Sequence, residues 1–364
     1  MFFSGKFLKA GGRVLKFRPN LFNYEIGIDI GTVNTVIFMK SKGVVVNEPS
    51  VVAVRNLDRK GQKEIIAFGT DAKKMIGRTP IGIKTIRPLA NGVIADFEMT
   101  EHMIRHYMKN LTGTGKLFSY PKVAVCVPAC VTEVEKRAVV EVTLAAGAKE
   151  AIVVEEPLAA AVGIGIAINE PQGNVVVNMG GGTCEVAVIS LGGIVVNHAV
   201  RVAGNSLDEA IISMMRQNYT LAIGESTAEE IKMAIGSALP MEQELTMNVK
   251  GRDLVDGLPK VVTLSSVEVR EALEPVVAQI EDTIRSAVEQ TPPELVRDIV
   301  DQGIVLSGGT ALLRGLSLRF SDALNVPVHV AEQPLFSVAL GLGKILETPT
   351  EKTKVSITID RQGS

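Results

Sequence analysis

In residues 26–38, IGIDIGTVNTVIF, an apolar run carries a single acid, Asp29, turns at Gly31-Thr32, and returns through Asn34 and Thr35 into apolar residues. The pattern predicts a β-hairpin whose tip offers backbone N–H groups, hydroxyls and an amide. Glycine lets a backbone approach an anion closely, and successive N–H groups make an anion-binding concavity. An acid at the strand end can hold Mg²⁺ through water. Residues 175–190, VVVNMGGGTCEVAVIS, repeat the design: an apolar strand reaches Asn178, then Gly180, Gly181, Gly182 and Thr183, then a second strand. Either stretch alone would read as an ordinary hairpin. Two copies, about 150 residues apart, point to an internal duplication in which two related domains grip one phosphate chain from opposite sides.

The chain is long enough for this: 364 residues accommodate two domains. A content of 46% hydrophobic and 21% charged residues supports a sizeable core rather than disorder. A net charge of −2 gives no general case for nucleic acid, but the charge is uneven. The first 24 residues hold five of the 38 bases and no acid, leaving 33 bases against 40 acids elsewhere. Cys126, Cys130 and Cys184 are too few and too badly spaced for a disulfide framework or a zinc site, which fits a reducing cytosol. No apolar run nears the ~20 residues that span a bilayer.

Taken in order, residues 1–23 place Lys6, Lys9, Arg13 and Lys16 at helical spacing, with Phe2, Phe3, Phe7 and Leu8 supplying apolar contacts. That is the pattern of a basic amphipathic helix on an anionic membrane, with a disordered tail as the alternative. The stretch lacks the apolar core and cleavage site of a signal peptide. Residues 44–55 read as further strand, residues 69–80 as a short helix, and residues 86–108 as a loop leading to a helix capped by Thr100. His102 and His106 on that helix have no third ligand nearby and read as solvated or packed. In the polar loop 110–120, Leu117 and Phe118 offer a second membrane contact, or fold back onto the core. Thr132 with Glu135 makes a capping box.

After Glu155, Glu156 and Pro157, the small-residue run LAAAVGIGIA suits close packing between domains. Further helices are expected near Ser206, from Ser226 or Thr227, and over residues 268–290, with two short strands between 241 and 264. A strand at 304–306 runs into Ser307-Gly308-Gly309-Thr310 and a helix ALLRGLSLRF, which makes either another anion or nucleotide-edge site or a plain strand–helix turn.

The order and spacing of these motifs resemble the superfamily of actin, heat-shock chaperone and sugar-kinase ATPases, and within it the bacterial MreB family of actin-like cell-shape proteins. The stretches that carry the resemblance are IGIDIGTVNT, NEPSVVAV, GRTP, RPLANGVIADFEMTEHMI, VEEPLAAAVG, GGGTCEVAVISLGGIV, PPELVRDIVDQGIVLSGGTALLRGL and PLFSVALG, which span the chain from about Tyr24 to Leu346. The resemblance implies an α/β actin-like ATPase fold: two ribonuclease-H-like domains around a nucleotide cleft, each with a smaller inserted subdomain. Domain I would occupy residues 24–160 with 335–347 returning to it, domain II residues 161–334, and residues 348–364 would be a loose polar tail.

ATP and Mg²⁺ would sit between the hairpins. Gly31, Thr32 and Asn34 would hold phosphate on one side, and Asn178, Gly180, Gly181, Gly182 and Thr183 on the other. Asp29 would hold Mg²⁺ through water, and Glu156 would position the attacking water, with Thr183 beside it. Glu229 and Lys232 would contact adenosine, and Gly308, Gly309 and Thr310 would lie beneath adenine and ribose. The resemblance further implies double filaments on the inner membrane face, contact with anionic lipid, and organisation of the cell-wall elongation machinery.

The chain departs from this pattern where aspartate is expected at 178 and asparagine stands. Met179 replaces a branched aliphatic residue, Cys184 a threonine, and Gln333 and Phe336 an expected Asp and Thr. These changes are expected to cluster near the nucleotide. They leave hydrolysis open, and a non-hydrolysing scaffold on the same fold stands beside the filament ATPase. A soluble small-molecule kinase gives the basic N-terminus no role, and a chaperone would need a peptide-binding domain after residue 347.

Overall fold

The computed structural model describes residues 24–57, 62–112, 120–347 and a strand at 356–360. The expected membrane contacts Phe2, Phe3, Phe7, Leu8, Leu117 and Phe118 lie outside the described residues.

The first half begins with β1 (Glu25–Ile30), β2 (Asn34–Met39) and β3 (Gly43–Pro49), then an insert of β4 (Val52–Leu57), β5 (Gln62–Phe68), α1 (Gly69–Lys73) and β6 (Ile83–Ile86). The small ribbon β7 (Leu89–Ala90) with β8 (Val93–Ile94) follows, then α2 (Phe97–Thr112), β9 (Lys122–Val127), α3 (Glu133–Ala145), β10 (Glu150–Glu155) and α4 (Glu156–Ile164). The second half runs through β11 (Asn174–Met179), β12 (Cys184–Ser190), β13 (Gly193–Val200), α5 (Gly204–Tyr219), β14 (Leu221–Ala222), α6 (Glu225–Ile235), β15 (Thr246–Asp253) and β16 (Pro259–Ser265). It then adds α7 (Ser266–Glu289), α8 (Pro293–Gln302), β17 (Ile304–Ser307), α9 (Leu316–Leu324), β18 (Val328–Val330), α10 (Ser337–Glu347) and β19 (Ser356–Asp360).

Two sheets share one topology. The first has the order β3-β2-β1-β9-β10-β19, antiparallel over its first three strands, parallel from β1 to β10, and closed by β19 antiparallel to β10. The second has the order β13-β12-β11-β17-β18 with the directions of β3 to β10. Each carries a three-stranded insert, β5-β4-β6 in one and β14-β15-β16 in the other. The duplication inferred from two hairpins is therefore a duplication of whole sheets, as the actin-like fold requires. Strand formation follows the residue types: β1 buries Ile26, Ile28 and Ile30, and β12 is buried along its whole length. A strand covered on both faces reads as a continuous apolar run.

Each sheet has its own apolar core, and a third core joins them. Ala124, Cys126, Ile152 and Val154 of the first sheet meet Val176, Ala187 and Ile189 of the second through α4 and α10. The run LAAAVGIGIA is helical only as far as Ile164, where α4 ends at Gly165 with φ +96, and that helix does pack between the halves. A Cβ at Gly163 would stand 1.8 Å from the Ser337 carbonyl oxygen, and one at Gly341 would stand 1.8 Å from that of Ala159. Only glycine permits backbones this close.

Several local expectations shift. Residues 44–55 form two strands, not one, because the chain breaks at Ser50, whose hydroxyl donates to the Gly31 carbonyl at 2.6 Å. Thr100 is not a cap: it is buried inside α2 and donates to the Asp96 carbonyl at 2.7 Å, while the Asp96 carboxylate accepts from the Met99 N–H. Neither Ser226 nor Thr227 caps α6, which starts at Glu225 after Gly224. The long helix starts before Glu268, because Ser265 and Glu268 form a capping box. ALLRGLSLRF divides into a 3₁₀ turn (Gly309–Leu312) and α9, separated by Gly315 at φ +74. Within the expected loose tail, Ser356–Asp360 pair antiparallel with β10. The capping box at Thr132 and Glu135 forms as read, and His106 packs against Phe68 with ring centroids 4.4 Å apart.

Candidate functional site

The two hairpins close their turns in the same way. The Gly31 N–H donates to the Asn34 carbonyl at 3.0 Å, and the Gly180 N–H donates to the Thr183 carbonyl at 2.9 Å. Asp29 and Asn178 thus stand at equivalent places, two residues before each turn glycine. The tips face each other: a Cβ at Gly181 would come within 2.0 Å of Val33 Cγ2, and one at Gly182 within 2.8 Å of Thr32 Oγ1. Packing between the tips therefore demands these two glycines in addition to any anion. Thr32 is fixed on its other side by accepting from the Gly92 N–H at 2.9 Å.

Between the halves lies a cleft of about 600 Å³, within the range of small-molecule sites. It is lined by Asp29, Gly31, Thr32 and Asn34 from the first hairpin, by Glu156 at the start of α4, and by Asn178, Gly180, Gly181, Gly182 and Thr183 from the second. Glu229 and Lys232 reach it from α6, and Gly308, Gly309 and Thr310 from the turn after β17. Every residue singled out in the sequence for phosphate, cation, water or adenosine contact lines this one cleft.

That last turn sits directly under the second hairpin. The Thr310 hydroxyl donates to the Gly180 carbonyl at 2.7 Å. Gly308 has φ +84, and a Cβ there would stand 2.2 Å from the Met179 carbonyl oxygen, so no other residue fits. On α6, Lys232 pairs with Asp208 at 2.8 Å and donates to the Gly204 carbonyl at 2.9 Å. Glu229 pairs with Lys73 of the first half at 2.6 Å, and Arg87 with Glu225 at 2.8 Å, so two ion pairs link the two halves.

The floor is acidic. Asp29 accepts from the Cys126 thiol at 3.3 Å, and burial pushes its carboxyl up to about 6. Burial, then the charges of Glu185 and Asp29, drives Glu156 well above the usual carboxylate range. The Asn178 amide opposes that shift, its Nδ2 donating to Glu156 Oε1 at 2.8 Å. Behind this row Glu185, the register partner of Asn178, is fully buried and pushed up to about 7, chiefly by burial. Its Oε1 accepts from the Ala129 N–H at 3.1 Å, and its Oε2 has no partner among the described residues.

Buried carboxylates whose protons are held this tightly are a setting that a hard cation would relieve. Among the described residues no group of three or more His, Cys, Asp or Glu side chains forms a self-sufficient metal site. The donor set fits Mg²⁺ in the form that takes one or two carboxylates and completes its shell with phosphate oxygens and water.

The departures do not all cluster at the cleft. Met179 and Cys184 oppose each other in register and point into the core of the second half. Gln333 and Phe336 do not line the cleft, although their neighbours Pro334 and Leu335 do. Asn178 alone among these substitutions faces the site. Sequence reading missed Glu185, whose signal was visible: one acid within the apolar strand CEVAVIS. It also missed Asp208, Lys73 and Arg87, whose partners lie far away in the chain.

Comparison with known proteins agrees with this architecture. The sequence model of the family described as MreB/Mbl protein matches residues 23–354. The chain is 49% identical over 333 residues to the cell shape-determining protein MreB of Escherichia coli K12, covering 91% of this chain and 95% of that one. It is 45% identical over 327 residues to the cell shape-determining protein Mbl of Bacillus subtilis, covering 90% and 97%. The crystal structure of MreB5 of Spiroplasma citri bound to ADP superposes with a TM-score of 0.84 at 38% identity, covering 89% of this chain and 96% of that one.

Proposed function

The chain belongs to the MreB/Mbl family, and from that premise we propose that it is an ATP-binding, actin-like cytoskeletal protein that polymerises into filaments on the inner face of the cytoplasmic membrane and organises cell-wall elongation. The observation that carries the nucleotide reading is the convergence of residues from separate segments of both halves on one cleft between like sheets. The Spiroplasma relative was solved with ADP, which supports a nucleotide as the occupant.

In this reading the backbone N–H groups at the hairpin tips cradle the phosphate chain, and Glu229, Lys232 and the 308–310 turn hold the nucleoside. Mg²⁺, when bound through Asp29, neutralises the phosphate charge. Glu156 accepts a hydrogen bond from the attacking water and orients it; phosphoryl transfer needs mainly positioning and charge stabilisation. The Thr183 hydroxyl lies at the same tip, where it can fix that water. The basic, apolar residues 2–17 and Leu117-Phe118 supply the lipid contact, and no described helix is long and apolar enough to cross a membrane.

A second reading rests on one contact. Asn178 donates to Glu156 Oε1, which occupies a lone pair that an attacking water would use. The protein would then be a filament scaffold that binds ATP and hydrolyses it slowly or not at all. Phosphate release measured during ATP- and Mg²⁺-driven pelleting, for the native chain beside Asn178→Asp, separates the two. Release by native protein as it pellets supports the ATPase. Pelleting without release, restored by the aspartate, supports the scaffold. Absence of any nucleotide-dependent pelleting overturns the filament reading.

A further inference from the structure

We propose that Asn178 holds Glu156 in place without a divalent cation, so that this cleft depends less on Mg²⁺ to bind nucleotide than the same cleft would with aspartate at position 178. The inference rests on the nucleotide reading above and concerns a positioning residue, because Asn178 acts through Glu156.

Three observations carry it. Asn178 is buried, and its amide donates directly to Glu156 Oε1 at 2.8 Å. It has three acids around it: Asp29 on the equivalent strand and Glu156, which line the cleft with it, and Glu185, which lies opposite it in register behind that lining. Finally, it is the one position among the departures from the family pattern whose side chain faces the cleft.

A carboxylate in the same place would set two carboxylate oxygens at hydrogen-bond distance, with two more acids nearby. Like charges that close cannot both stay ionised unless they share a proton or a cation lies between them. With aspartate, the arrangement of Glu156 becomes conditional on a shared proton or a bound cation. With asparagine, a neutral donor makes the link itself, and the acid count stays at three.

The test uses the full chain and a fluorescent ATP analogue, with Kd measured in excess Mg²⁺ and in excess EDTA, for the native protein and Asn178→Asp. Expected is a ratio of Kd in EDTA to Kd in Mg²⁺ at least ~10-fold larger for Asn178→Asp, the lower end of what partners of a bound metal's shell contribute. Equal ratios overturn the proposal. Thermal unfolding without nucleotide gives an independent reading. Mg²⁺ should raise the midpoint of Asn178→Asp more than it raises the native midpoint, and an equal rise in both refutes the idea. Should neither protein bind the analogue even with Mg²⁺, the nucleotide reading fails, while the melting comparison still decides the role of Asn178.

Discussion

Glu185→Gln tests the electrostatics of the cleft floor. Burial raises the Glu185 carboxyl from 4.5 to about 7 in the folded protein. A raised carboxyl means the folded state keeps its proton where the unfolded chain has lost it. The associated stability is therefore fully present below about pH 4.5 and is lost as pH rises toward about 7. At 1.36 kcal/mol per pKa unit, the loss is ~3 kcal/mol. Glutamine cannot ionise, yet its carbonyl oxygen can still accept from the Ala129 N–H. Its amide nitrogen takes the place of Oε2, which has no partner among the described residues, so the variant carries a pH-independent cost of ~1–3 kcal/mol. Comparing two pH values cancels that cost. The difference in unfolding free energy between about pH 5 and about pH 8 should be smaller by ~2.5 kcal/mol in the variant. The chain has no tryptophan, so urea unfolding is followed by circular dichroism, without nucleotide and in EDTA. A change in pH dependence below ~1 kcal/mol would refute the reasoning. A second readout follows from Glu156, which the Glu185 charge pushes upward: the acid limb of any phosphate release should move to lower pH in Glu185→Gln.

Glu156→Ala should retain nucleotide binding and lower phosphate release by ~100-fold or more, as loss of a water-orienting base does; unchanged turnover removes Glu156 from that role. Deleting residues 2–17 should release the protein from anionic liposomes in a flotation assay. Binding that persists unchanged points instead to Leu117-Phe118. Gly341→Val places atoms where a Cβ already meets the Ala159 carbonyl oxygen at 1.8 Å. It should cost ~3 kcal/mol or more in thermal unfolding, and native-like melting would mean that α4 and α10 separate at no cost.

What the sequence made legible was local and repeated. Both hairpins announce themselves through apolar strands, a polar residue at the strand end and a glycine turn, and one capping box was readable from Thr132 and Glu135. The misreadings share a physical origin: each depends on a partner outside the window. Thr100 looks like a cap until Asp96 is seen capping in its place. The run 44–55 looks like one strand until Ser50 is found bonded to Gly31. The Lys73–Glu229 and Arg87–Glu225 pairs link residues well over a hundred positions apart, and no periodicity reports them.

Asn178 shows the same limit from the side of function. Read motif by motif, asparagine there is a lost acid and the second hairpin a weakened copy of the first. In three dimensions the copies differ in a second way that the motif hides. In the first hairpin Asp29 lies opposite Val36, whereas in the second Asn178 lies opposite Glu185. Each hairpin thus contributes one acid, from opposite strands of the repeat, and Glu156 adds the third. An aspartate at 178 would give the second hairpin two, side by side and beside Glu156. The asparagine is then better understood as setting the charge of a shared pocket than as the loss of one ligand, because it leaves an acid from each half and converts the contact that would repel Glu156 into the one that holds it.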